Sequence, residues 1–137
     1  MNDSVISPWL DKVELQSPDG KFTAIYPEGW EIAMGAPTSG LLWLCSKNKK
    51  YKISNNAGAS FIWSSDSRYL AYSEWTKEKM QIIRVIRISD KNDRCVKNEM
   101  SVIQFESFEN NKIVGIDSPI YQPRRFTIDV NEIFDDR

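Results

Sequence analysis

The architecture of this chain is indicated most clearly by Phe61-Ile62-Trp63-Ser64-Ser65-Asp66-Ser67-Arg68-Tyr69-Leu70-Ala71-Tyr72. Two runs of β-branched and aromatic residues flank a short polar segment, which is the pattern of two strands joined by a tight turn. Asp66 favours such a turn because its carboxylate can hydrogen-bond to the backbone two residues further on. Ala71, near the end of the second run, leaves room for a neighbouring sheet.

This unit occurs three times along the chain. Residues 17–24 align with residues 64–71 at an offset of 47, and residues 105–115 align with residues 61–71 at an offset of 44. A third apolar run follows each unit. Internal periods of about 40–45 residues with four strands per unit are typical of propeller blades. We expect one domain, residues 1–137, with blade-like repeats at approximately 13–55, 59–100 and 102–134.

Short strands account for most of the readable pattern, so an all-β fold is predicted. The one segment that reads as a short helix is 131–137. Residues 81–88 carry apolar side chains at both alternating sets of positions, which predicts a strand covered on both faces. Such a strand fits either a blade between two others or the core of an ordinary β-sandwich. The predicted strands are 13–15, 22–26, 41–45, 61–63, 69–73, 81–88, 102–105, 113–116 and 125–130.

Residues 17–22, and more fully residues 61–72, resemble the W-S-P-D-G-[KR]-x-[IL]-A-[FY] core of TolB-type and WD-repeat-like propellers. The third repeat departs from that pattern, with Ser107 in place of Trp and Asn110 in place of Asp. The resemblance implies an incomplete (half) β-propeller of about three antiparallel four-stranded blades. Closed propellers use 4–8 blades, so three blades would leave open flanks that need a partner.

Composition removes several classes of chemistry. The 137 residues include no histidine, which excludes Ser-His-Asp triads, Cys-His pairs and histidine-containing zinc sites. Cys45 and Cys95 could form at most one disulfide, and the sequence does not decide whether they do. We therefore expect no cofactor and no bound metal, and binding rather than enzymatic activity. A divergent hydrolase is the enzymatic alternative.

Charge and hydropathy limit the classes of partner and the cellular location that the sequence predicts. Eighteen basic and nineteen acidic residues give a net charge of −1, which argues against a general nucleic-acid binder. The N-terminal residues lack a basic segment followed by an apolar one, so a secretory signal is not expected. The longest uncharged stretch, residues 32–46, is too short to cross a bilayer. We expect a cytoplasmic protein with no membrane and no nucleic-acid partner.

The segments that join the second and third strands of each repeat are expected to lie on one face of the molecule. Each combines an aromatic residue with acidic ones, which would suit a protein partner with a basic surface. The alternative is that Trp30 and Trp75 cap the core. The predicted partner-binding residues are Glu28, Trp30, Glu31, Glu74, Trp75, Glu78, Asp117 and Tyr121.

A small chain with a partial fold and no catalytic motif resembles bacterial immunity proteins, including those of contact-dependent growth inhibition systems. That resemblance implies a protein that neutralises a cognate toxin, expected to be a nuclease, by blocking its active site or substrate groove. The alternative function is a self-associating half-propeller, such as a homodimer, that acts as a scaffold or adaptor for protein–protein interaction.

Two charged segments have open interpretations. Residues 47–52 place four lysines around Tyr51, either as a contact for phosphate or nucleic acid or as a solvated hairpin. The C-terminal acidic residues form either a further contact for a basic partner or a solubilising end. Those residues are Asp129, Glu132, Asp135 and Asp136.

Overall fold

A computed structural model describes residues 5–134, apart from the side chain of Lys97. These residues form an antiparallel all-β fold, as the sequence predicted. Asp135 and Asp136 lie outside the described residues. The elements are β1 (Val13–Gln16), β2 (Thr23–Tyr26), β3 (Gly29–Glu31), β4 (Thr38–Ser46), β5 (Lys49–Trp63), β6 (Tyr69–Trp75), β7 (Gln81–Arg87), β8 (Asn92–Met100), β9 (Ile103–Glu109), β10 (Lys112–Asp117), β11 (Arg124–Asp129) and α1 (Val130–Ile133).

Strand β5 organises the larger of two sheets. That sheet has eight strands in the order β1-β2-β4-β5-β6-β7-β8, with β3 paired to β4, and the smaller sheet has the order β11-β10-β9. The first part of β5 pairs with β4 and the last part pairs with β6, with a register shift between Ala57 and Phe61. Gly58 lies in this shift, where an added Cβ would come within 2.5 Å of Ser73 Oγ. Strand β5 therefore connects the two halves of the large sheet.

Two apolar clusters cover the two faces of β6 and β7. The first contains Tyr26 and Leu44 from one half of the large sheet and Leu70 and Ile86 from the other, so the two halves pack face to face. The second joins the opposite face to the small sheet and α1, which makes three layers. Its members include Ile62, Tyr69, Ile83, Val85, Ile103, Phe105, Ile113 and Val130.

Strand β7 confirms the prediction made from its sequence. Ile83 and Val85 are fully buried in the second cluster, and Ile86 is fully buried in the first. Apolar residues at both alternating positions thus serve two cores, as expected for a strand covered on both faces.

The prediction of a half-propeller with three four-stranded blades is wrong. A blade is a sheet of its own, whereas here β5 hydrogen-bonds to both β4 and β6, so the first two repeats share one continuous sheet. The third repeat forms a sheet of three strands, and the sheets do not close. The resemblance to TolB-type and WD-repeat-like propellers, and the immunity function suggested by a truncated fold of that kind, lose their basis.

The predicted tight turns are present. Ser17 Oγ donates to Asp19 Oδ1 (2.7 Å) and accepts from the Phe22 amide (3.1 Å). Residues 64–69 repeat these two contacts at 2.7 and 3.0 Å. Gly20 has a φ of 74°, and Ser67, the equivalent residue in the second turn, has a φ of 64°. Both turns therefore use the left-handed region. The two turns therefore share the same hydrogen bonds, as their aligned sequences suggested.

The fold has two distinct ends. At the turn end, the Asp19 amide donates to Ser67 Oγ and the Ser65 amide donates to Phe108 O, each at 2.9 Å, which links the β1–β2, β5–β6 and β9–β10 turns. Antiparallel pairing places the β4–β5 and β7–β8 turns at this end too. The opposite end, the loop end, holds the segments 27–37, 76–80 and 118–123.

Candidate functional site

Thr38 anchors the first part of the loop end. Its amide donates to Pro8 O (3.3 Å) and its hydroxyl donates to Leu10 O (2.5 Å). Because that hydroxyl proton is used, Tyr26 must donate in the 2.9 Å contact between the Tyr26 and Thr38 hydroxyls. Burial raises the pKa of Tyr26, which keeps its hydroxyl protonated for this role. The carbonyl of Thr38 accepts from the Trp75 indole (3.0 Å).

Two glycines allow β3 to lie against this anchor. An added Cβ at Gly29 would come within 2.5 Å of the Tyr26 hydroxyl, and one at Gly40 within 2.5 Å of Glu28 O. The Gly29 amide also donates to Asp11 O (2.7 Å). Strand β3 is consequently held closely, and its central residue, Trp30, projects outward with 53% of its surface exposed.

The predicted partner-binding residues divide into two groups in the structure. Five are exposed at the loop end, while the remaining three make intramolecular contacts. The exposed five are Glu28, Trp30, Glu31, Glu78 and Tyr121, and the other three are Glu74, Trp75 and Asp117.

Trp75 and Asp117 hold loop-end segments together. Trp75 is buried and its indole donates to Thr38 O, so this side chain caps the core, as the alternative interpretation held. Asp117 Oδ1 accepts from the amides of Ser101 and Val102 at 3.0 and 3.2 Å. Trp75 connects β6 to β4, and Asp117 connects β10 to the segment between β8 and β9.

Glu74 belongs to a half-buried polar network. Its carboxylate accepts from Ser54 Oγ (2.6 Å) and lies 3.8 Å from the Arg84 guanidinium. Arg84 also pairs with Asp93 (2.9 Å), which accepts from the Tyr72 hydroxyl. Burial, then the hydrogen bond and charge of Asp93, raise the pKa of Tyr72. Burial alone would lower the pKa of Arg84, but the attraction of Asp93 outweighs it and raises that pKa. The network links Ser54 on β5 to Asp93 on β8 through Glu74 and Arg84.

The structure adds apolar residues that the sequence reasoning missed. Met34 is fully exposed (100%), Ile120 is 77% exposed, and Leu10 is 44% exposed. They lie in or beside the same loop-end segments as Trp30 and Tyr121, the latter 81% exposed. Their exposure could have been predicted from the sequence, because they lie in turn-rich stretches with Gly, Pro and Ser. In such stretches no neighbouring strand covers an apolar side chain.

Charge at the loop end is not uniform. The segment 27–37 contains Glu28 and Glu31 and no basic residue, whereas Glu78 stands between Lys77 and Lys79. The acidic and aromatic combination therefore characterises the first segment in particular. We call Trp30, Met34, Glu28 and Glu31 the loop-end patch.

Comparison with protein-family models and with curated proteins finds no match. Within residues 5–134 no group of three or more Cys, Asp or Glu side chains is arranged to hold a metal ion. In the same range no helix has the length and hydropathy needed to cross a membrane. Cys45 and Cys95 are both free thiols, which answers the question of their pairing.

Proposed function

We propose that this chain is a binding domain for another protein and that the loop-end patch is its contact surface. The single observation that carries this proposal is the exposure of Trp30 and Met34 on a closely anchored segment. Isolated exposed apolar residues are ordinary. An exposed tryptophan on a paired strand, four residues before a fully exposed methionine, is less so, because both side chains are enriched in protein interfaces.

The anchoring of β3 favours binding energetically. Trp30 lies between Gly29 and Glu31, which pair with Gly40 and Thr38 of β4, so the backbone of the patch is ordered before any partner arrives. An ordered anchor loses little conformational entropy on association. Tryptophan in the centre of an interface is also the residue type most often responsible for binding energy.

The chemistry of the expected partner follows from the patch. Glu28 and Glu31 flank Trp30, and the segment that carries them has no positive charge. A partner with an apolar pocket bordered by Lys or Arg would match both features, and the opposite charges would accelerate encounter. Such binding needs no catalytic group.

Site-specific photocrosslinking tests this proposal. A photoreactive phenylalanine replaces Trp30 in one variant and Tyr51, an exposed aromatic at the turn end, in the control variant. Both are expressed in the source cells, irradiated and analysed by mass spectrometry. We expect one predominant heterologous adduct from position 30 that is absent from position 51.

The crosslinked partner is then purified and titrated with the wild-type chain, Trp30→Ala and Tyr51→Ala. Loss of an anchor residue is expected to raise the Kd by at least about thirtyfold, given about 2 kcal/mol for an interface hot spot. Equal affinity for all three chains would refute this surface. A position-30 adduct made only with a second copy of the chain would show self-association through this surface instead.

A further inference from the structure

A cleft of about 750 Å³ opens at the turn end, between the β4–β5 hairpin and the β7–β8 turn. Leu44 and Phe22 form its apolar floor, since Leu44 is buried in the first cluster and Phe22 packs partly against it. Tyr51 lines one side with 47% of its surface exposed. The cleft thus offers an aromatic ring beside apolar surface, at the opposite end from the loop-end patch.

Three lysines line this cleft: Lys49, Lys50 and Lys91. Lys49 and Lys91 both line it, and among the described residues neither has a carboxylate within ion-pair distance. The acidic residue next to Lys91, Asp90, is occupied by Arg87 through contacts of 3.1 and 2.7 Å. The hydrogen bond from Arg87, with that from the Asn92 amide, lowers the pKa of Asp90 to about 2. The charge of Lys91 is therefore left uncompensated.

The ammonium group of Lys91 is held in place. It donates to Ile88 O at 2.8 Å and lies 5.2 Å from the centre of the Phe22 ring. The backbone of Lys91 has a φ of 60°, in the left-handed region that few residues adopt without cost. An ammonium has three N–H donors, so two remain for a ligand. In contrast, Lys50 lies over the Trp43 ring, 4.2 Å from its centre.

We propose that this cleft binds a nucleotide unit, with the base stacked on Tyr51 and the phosphates held by Lys49 and Lys91. Aromatic rings stack with bases of any sequence, and ammonium groups form strong charge-assisted hydrogen bonds with phosphate oxygens. A free nucleotide and one residue of a single strand share this chemistry. The proposal does not depend on the protein-binding function of the loop-end patch.

Binding is measured by isothermal titration of the whole chain with ATP, adenosine, tripolyphosphate and a short oligouridylate. The main variant, Lys49→Gln with Lys91→Asn, removes both charges, and Asn tolerates the positive φ at position 91. The matched control, Lys77→Gln with Lys79→Asn, makes the same charge change at the loop end, where Lys79 also has a φ of 60°. Tyr51→Ala and Tyr51→Phe separate the ring from the hydroxyl.

We expect saturable binding of ATP that exceeds that of adenosine and of tripolyphosphate. The Lys49/Lys91 variant should raise the Kd at least tenfold, at about 1.4 kcal/mol per factor of ten. The Lys77/Lys79 control and Tyr51→Phe should change the Kd less than about twofold, and Tyr51→Ala several-fold. Tighter binding of oligouridylate than of ATP would identify a strand as the source, and weaker binding would identify a free nucleotide.

Three results would overturn the proposal. They are an absence of saturable binding of ATP and of oligouridylate at millimolar concentration, equal affinity for ATP and tripolyphosphate, and an equal loss in the Lys77/Lys79 control. Far-ultraviolet circular dichroism of each variant verifies that the fold is kept. None of these results bears on the crosslink at position 30, so the two proposals fail separately.

Discussion

At the scale of the residue, Thr38 shows how a single side chain orders the surface proposed to bind a partner. The Thr38 hydroxyl accepts a hydrogen bond from the Tyr26 hydroxyl and donates one to Leu10 O. The Thr38 carbonyl accepts a hydrogen bond from the Trp75 indole. Each of these partners comes from a different part of the chain. Thr38 therefore ties the strand that pairs with β3 to three other segments of the chain.

We expect Thr38→Val to lower the free energy of unfolding by roughly 1–3 kcal/mol, the usual cost of leaving buried polar groups unpaired. Valine keeps the branched shape but leaves the Tyr26 hydroxyl and Leu10 O without this partner. Urea unfolding measures the change. Thr127→Val, at an exposed strand position, is the control and should stay within about 0.5 kcal/mol. Equal stability of the two variants would contradict the role assigned to Thr38.

At the scale of the element, the repeated turns explain which strands could be read from the sequence. In both fully formed copies a serine hydroxyl joins the carboxylate of an Asp to an amide three residues beyond that Asp, as Ser64 does between Asp66 and Tyr69. The sequence analysis recognised the Asp of this turn. It missed the first serine, whose hydroxyl closes the turn.

Ser64→Ala is expected to cost roughly 1–3 kcal/mol of unfolding free energy, because the buried amide of Tyr69 loses its acceptor. The adjacent Ser65→Ala provides the control, since Ser65 is exposed and contributes its backbone amide, which alanine retains. That variant should change stability by less than about 0.5 kcal/mol. Thermal and urea unfolding of both proteins decide the matter, and a larger effect at position 65 would exclude the proposed turn mechanism.

The strands that sequence reasoning found are the apolar ones, and the strands that it missed are polar. Strand β8, Asn92–Met100, and the first half of β5 carry mainly charged and amide side chains with no apolar alternation. Their place in the sheet is set by backbone pairing with β7 and β4. Local periodicity cannot report such pairing, because the partner strand lies elsewhere in the chain.

The same limitation explains the mistaken architecture. The turn contacts recur at residues 17–22 and 64–69, but the continuation of β5 past Gly58 joins the strands on either side into one sheet. For the candidate site, the aromatic and acidic pattern located the loop end. It could not separate the exposed Trp30 from the buried Trp75, because each follows a predicted strand, 22–26 or 69–73, and stands next to a glutamate.

At the scale of the whole molecule, the central layer connects all other parts. Strands β6 and β7 contribute one face to the cluster shared with the first half of the large sheet and the other face to the cluster shared with the small sheet. A chain in which the middle layer has no solvent-facing side should unfold as one unit, because loss of either cluster exposes the same strands. Cooperative unfolding of both sheets can therefore be measured as a test of the expectation that residues 1–137 form one domain.

Ile83→Ala and Ile86→Ala test this cooperativity on one strand. Both side chains are fully buried, and they face opposite clusters. Each truncation should lower the free energy of unfolding by about 2–5 kcal/mol, and Ile82→Ala, at a half-buried position, provides a control with a smaller loss.

In urea, tryptophan fluorescence follows the large sheet, which contains Trp63, and amide exchange of Ile113 follows the small one. We expect both probes to shift together in each variant, since the small sheet has no core without β7. If Ile83→Ala lowered the midpoint at Ile113 and left the fluorescence transition unchanged, the small sheet would be a separate unit.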